Sequence, residues 1–159
     1  MGQEGLAGLP VLLGGMSYSH QVLVQVAGTA WWLPAALLLT EFHRQSVLHG
    51  LLLRYIQAML TQARQNGACH RFHTTEARLA RWLLLASDSL GADTFRLAPA
   101  CLGQMLGLHP TDATVAAGVF SQAGFVRYRR GRMTLVDRAG LEAFACECYG
   151  VVRAAFAAV

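Results

Sequence analysis

The stretch that decides the fold runs from Leu102 to Asp137, "LGQMLGLHPTDATVAAGVFSQAGFVRYRRGRMTLVD". Two short helical patterns meet at Gly107, a residue that permits the backbone reversal ending the first of them. Leu102 is predicted to face inward, and Gly103 lets a second helix cross closely. Met105 and Leu106 bury the end, and Leu108 plugs the corner. Pro110 suits the first position of the second helix, because its ring presets the backbone and its missing N–H is not needed there. Ala113, Ala116 and Ala117 keep the inner side of that helix small, and Val119 or Phe120 anchors its far end. Past Gly124, "FVRYRRGRMTLV" predicts a strand, a turn at Gly131 and a second strand. Four of the thirteen arginines (Arg127, Arg129, Arg130 and Arg132) crowd that hairpin. The helices alone would equally suit a hairpin in an ordinary core. The arginine hairpin behind them favours a winged helix-turn-helix, where a guanidinium fork grips phosphate.

Upstream, "LHGLLLRYIQAMLTQARQNG" carries the strongest helical period in the chain. Leu52, Tyr55 and Met59 form one stripe; Leu53, Ile56, Leu60 and Ala63 form an adjacent one. Two stripes can serve two neighbours, a partner helix and the same subunit, with Gly67 as the expected stop. Thr74 is an expected N-cap with Glu76 in the first turn, and Leu79, Trp82, Leu83 and Ala86 mark the buried face behind it. After Asp137, "RAGLEAFACECYGVVRAAFAAV" predicts one closing helix. Toward the N-terminus, "LPVLL" and "HQVLVQV" look strand-like, Trp31 and Trp32 look like a strand-end core anchor, and Pro34 opens a helix through "AALLLTEFHR". No Asp, Glu, Lys or Arg occurs from Gly5 to Thr40, but Gln25, Gly28, Thr29 and Pro34 interrupt the run and argue against a membrane span.

Hydrophobic residues make up 54% and charged ones 14%, which excludes intrinsic disorder. Every cationic side chain is arginine, and the net charge of +4 suits an anionic partner. The cysteines, Cys69, Cys101, Cys146 and Cys148, form no disulfide framework and predict reduced thiols in the cytoplasm. In "CHRFH" only Cys69 and His73 would share a helical face, His70 standing apart. Cys146 and Cys148 would lie about 200° apart on a continuous helix, one in the core and one partly exposed, so no metal site is expected. A phosphate-cradling glycine loop, a nucleophile elbow and paired catalytic carboxylates are all missing from the pattern, so no enzyme and no cofactor is expected.

From about Thr74 to the C-terminus the order of helix, short strand, "LGQMLG", second helix and "AGFVRYRRGRMTLVD" resembles the cyclic-AMP receptor protein and fumarate-nitrate regulator (Crp/Fnr) family of bacterial transcription factors. "LLLRYIQAMLTQARQNGACHRFHTTEARLARWLL" resembles that family's dimerisation helix and hinge, and "GQEGLAGLPVLLGG" and "HQVLVQVAGTAW" resemble the last strands of its β-roll sensor. The resemblance implies a mainly α fold with small β. Residues 1–47 would be a sensor remnant starting inside the β-roll, 48–73 the dimerisation helix and hinge, and 74–159 the winged helix-turn-helix. Double-stranded DNA, a second copy of the chain and RNA polymerase are the implied partners. Two departures matter. Glu4, Gly5 and Leu6 echo a cyclic-nucleotide turn, but no arginine precedes Arg44 to hold its phosphate, and the N-terminal cysteines that hold an iron–sulfur cluster in some members are missing. The second helix has Pro110, Thr111 and Val115 where relatives carry base-reading arginine and glutamate, leaving His109, Thr111, Asp112 and Thr114 as candidate base contacts. Arg127, Arg129, Arg130 and Arg132 are the candidate phosphate contacts. The alternative is a degenerate relative that dimerises or binds proteins without reading DNA.

Overall fold

The structure, a computed structural model, describes residues 5–15, 17 and 21–159. After a 3-10 turn at Leu9–Leu13 come α1 (Ala35–His43), α2 (Val47–Phe72), α3 (Thr75–Leu90), β1 (Thr94–Arg96), α4 (Pro99–Leu106) and α5 (Pro110–Gln122). The chain continues through β2 (Val126–Arg129), β3 (Arg132–Leu135), α6 (Arg138–Phe144) and α7 (Cys148–Ala157). The three strands form one antiparallel sheet in the order β1-β3-β2. The mainly α architecture with a small sheet is the one anticipated.

The main core belongs to the C-terminal part. α3 starts where Thr74 accepts a hydrogen bond from the Ala77 N–H, satisfying an otherwise orphan donor. Its Leu79, Ala80, Leu83 and Leu84 are fully buried against Leu102 and Leu106 of α4, Ala113, Ala116 and Phe120 of α5, and Met133 of β3. Arg138 pins α6 to α3: it forms a salt bridge to Asp88 and donates to Ser87 (3.1 Å), Glu142 (3.1 Å) and the Tyr149 hydroxyl (2.9 Å).

α2 divides its stripes between neighbours. Leu52 and Ile56 pack with Leu12 and Phe42, and Tyr55 sets its ring edge-on to Phe156 of α7 at 6.1 Å. Leu53 and Leu60 stay 46% and 45% exposed, with Ala63 exposed beside them. Gly67 does not stop the helix, which runs on to Phe72. An interior glycine costs only about 1 kcal/mol against alanine, and the packing of Cys69 beyond it offsets that.

Three other expectations fail. "LPVLL" coils into the 3-10 turn with Leu12 buried, and the described part of "HQVLVQV", Gln21–Val26, has no strand; its His20, and the Glu4 that echoes a nucleotide turn, lie outside the described residues. So the β-roll remnant is not formed among the described residues. Alternating valines specify a face, but a strand needs a hydrogen-bonded neighbour, and among the described residues no strand stands beside Val22–Val26. Trp31 and Trp32, at 102% and 86% exposure, anchor no core. Finally, the closing helix breaks at Ala145–Glu147. α6 packs on α3 with Leu141 buried, α7 packs on both α2 and α3 with Val152 buried, and the extended backbone of Ala145 re-aims the chain between them.

Candidate nucleic-acid interface

Gly107 adopts the left-handed conformation (φ 62°) that closes α4, with its N–H on the Gln104 carbonyl and the Leu108 N–H on the Gly103 carbonyl at 2.9 Å. α5 then crosses α4 closely, because Ala113 and Ala116 present almost no bulk at the contact. Phe120, not Val119, is the far anchor, and Val119 is 46% exposed. The opposite face of α5 presents Thr111, Asp112, Thr114, Val115, Gly118 and Val119 to solvent. His109 is exposed just before the helix, its Nδ1 2.8 Å from the Thr111 hydroxyl. The predicted base contacts therefore share one outward surface, and it carries no cation.

The sheet behaves differently. β2 follows α5 through the Phe125 N–H bonded to the Phe120 carbonyl at 3.0 Å, and β2 packs against α5. Arg130 (φ 51°) and Gly131 (φ 74°) make a two-residue turn with both residues left-handed, the geometry that matches the twist of a tight hairpin. Val126, Met133, Leu135 and Phe95 point into the core, and the Tyr128 hydroxyl donates to the Leu97 carbonyl at 2.8 Å. Because side chains alternate, Arg127, Arg129 and Arg132 share the outer face. Across it the register aligns Arg96, Arg132 and Arg129 as direct partners over all three strands. All five arginines of the sheet and its turn, including Arg127 and Arg130, are exposed. Among the described residues none of them has a carboxylate within ion-pair distance.

Directly opposed side chains sit about 5 Å apart at Cβ, and like charges there repel. A row of three guanidinium groups is therefore a place that an anion relieves. Arg96 is the residue that the sequence reading missed. "RLAP" looked merely extended, although the polar–apolar–polar alternation of Thr94, Phe95 and Arg96 signals a strand with Arg96 facing out.

Residues 77–144 match the Crp-like helix-turn-helix domain. This segment is a Crp-like helix-turn-helix domain. It contains every predicted contact residue and Arg96, and the match supports the Crp/Fnr assignment. Among solved structures, a protein described as a transcriptional regulator of the Crp/Fnr family from Eubacterium rectale ATCC 33656 superposes with a TM-score of 0.51 at 19% identity. That match covers 70% of this chain and 51% of the regulator, so the chain spans about half its length; at this identity the likeness is one of fold. No curated protein matches the chain.

Proposed function

We propose that the chain is a DNA-binding transcription regulator whose Crp-like domain holds duplex DNA by phosphate contacts from its arginine sheet, with α5 in the major groove. The observation that carries this reading is the Arg96–Arg132–Arg129 row, joined by Arg127 and Arg130, on an outer face with no carboxylate partner among the described residues. Between Thr94 and Leu135 the sequence holds these five arginines and a single carboxylate, Asp112. Thr111 and Thr114 can hydrogen-bond base edges, Val115 can touch a thymine methyl, and Asp112 can accept from cytosine. The exposed stripe of Leu53, Leu60 and Ala63 on α2 fits a second copy of the chain, and two-fold pairing would suit a roughly palindromic site. No helix among the described residues is long and apolar enough to cross a membrane.

A second reading is favoured by the uncharged outer face of α5: an interaction module that dimerises without reading sequence. Mobility-shift titration of genomic fragments at two salt concentrations separates the two. Bands that survive competitor DNA support the regulator. Their absence at every salt concentration supports the interaction module.

A further inference from the structure

The break between α6 and α7 has a chemical consequence. It turns Cys146 and Cys148 toward Cys69 at the end of α2, so that all three thiol sulfurs lie within 4.8 Å of one another. All three cysteines are buried, Cys69 and Cys148 completely. A second group, His73, Glu147 and Cys148, also lies within 4.8 Å and shares Cys148 with the first. The two groups together present three thiols, an imidazole and the exposed Glu147 carboxylate.

We propose that Cys69, Cys146, Cys148 and His73 form a binding site for a thiophilic divalent cation of the zinc class. Three further observations point to this ligand. The Cys69 and Cys146 sulfurs are 3.6 Å apart. Two thiolates on tetrahedral zinc, each about 2.3 Å from the metal, stand about 3.8 Å apart, so this pair needs almost no movement. His73 stands within reach of Cys148 but not of all three sulfurs, so it would turn to complete the set; its Nε2 is 3.2 Å from a carboxylate oxygen of Glu147, a partner that orients the imidazole, and the Gln65 amide donates to the Cys148 sulfur at 3.1 Å. Lastly, Arg81 is only 6% exposed, and its Nε and Nη1 have no hydrogen-bond partner; only Nη2 is engaged, by Asn66 at 2.8 Å. Among the described residues it has no carboxylate. A buried cation without a counter-ion is costly. Binding releases three protons from the thiols to solvent; three thiolates and a neutral imidazole on a dication then carry one net negative charge, which Arg81 balances. Arg81 lies close enough for its charge to act on Cys69.

The site's position gives it a role. Cys69 and His73 precede the helix-turn-helix segment 77–144, and Cys146 and Cys148 follow it. The cation would clasp the chain where it enters and leaves that domain, holding α7 against α2 and fixing how the domain hangs from the long helix.

The test uses the full chain, reduced, freed of metal by chelator, and titrated with cobalt(II) and then zinc. The expected result is one cobalt per chain with tetrahedral ligand-field and thiolate charge-transfer absorption, bleached by one equivalent of zinc. Cys101→Ser should leave the bands unchanged, while Cys146→Ser and His73→Ala should each weaken cobalt binding tenfold or more. His73 is partly exposed, so its variant is informative even if Cys146→Ser fails to fold. Cobalt spectra of octahedral form, substoichiometric uptake by the wild-type chain, or loss of the bands in Cys101→Ser would overturn the proposal. A Cys69–Cys146 disulfide whose reduction brings no metal uptake would do so as well. No DNA enters these measurements, so their failure leaves the DNA reading untouched.

Discussion

Two surfaces of the helix-turn-helix domain stand side by side and differ in kind. The sheet offers Arg96, Arg127, Arg129, Arg130 and Arg132; the outward face of α5 offers threonines, valines, a glycine and one aspartate. Phosphate contacts give affinity without sequence information, whereas base edges give discrimination. On the DNA-binding role proposed above, the difference teaches that holding and reading are separable in this fold, and that this chain would be much better furnished for the first. The same separation explains why a typical helix-turn-helix layout can coexist with a helix lacking any guanidinium.

The contrast can be broken or sharpened by substitution. The largest effect should come from Phe120→Ala, because its fully buried ring supports α5 and the start of the hairpin together. A loss of about 3–5 kcal/mol in denaturant unfolding is expected, and both surfaces should fail at once. A loss below about 1 kcal/mol would mean that the two surfaces do not share this support.

Next comes the holding surface alone. Replacing Arg129 and Arg130 by Ala should weaken binding to every DNA sequence and reduce the log–log salt slope by about 2 per chain. Unchanged affinity at low salt would remove the sheet from the interface. The reading surface should respond in the opposite way. Val115→Arg places a guanidinium on the exposed face of α5 and should add about 1–3 kcal/mol of preference for sites carrying a guanine there. A uniform gain over all sequences would show that this face touches only phosphate.

A smaller effect tests the turn. Arg130 holds a left-handed backbone that asparagine tolerates better, so Arg130→Asn should stabilise the fold by about 1 kcal/mol while lowering the salt slope by about one. Thermal melts and salt titrations read the two changes separately. The smallest is a pH effect. Burial, then the Arg78 and Arg81 charges, lowers the pKa of His70, which sits 2.5 Å from the Arg78 guanidinium. Its folded-state pKa lies below the unfolded value, so its contribution is complete above about 6.5 and is lost as pH falls below that. His70→Gln should flatten that part of the stability–pH curve.

Legibility in the sequence tracked how local the information was. Pro99, Gly107, Pro110 and Gly131 act through their own backbone, and each marks the boundary or turn that the structure shows. Thr74 caps the helix it was expected to cap. The base-contact candidates came from the family resemblance; His109 just before α5 and Thr111, Asp112 and Thr114 on it are all exposed. Val22, Val24 and Val26 misled because a strand depends on a partner elsewhere in the chain. Trp31 and Trp32 misled because aromatic bulk signals burial only where something comes to cover it.

By itself the sequence determined the helix-turn-helix, its arginine hairpin and the missing cation on α5, since each follows from residues within a few positions of one another. Only the tertiary structure decided that Arg96 joins the arginine row, because strand register couples residues 36 apart, Arg96 and Arg132. It also decided that the closing helix breaks, bringing Cys146 and Cys148 together at Cys69. Periodicity along one continuous helix forbids that meeting; the extended backbone at Ala145 re-aims the chain and allows it.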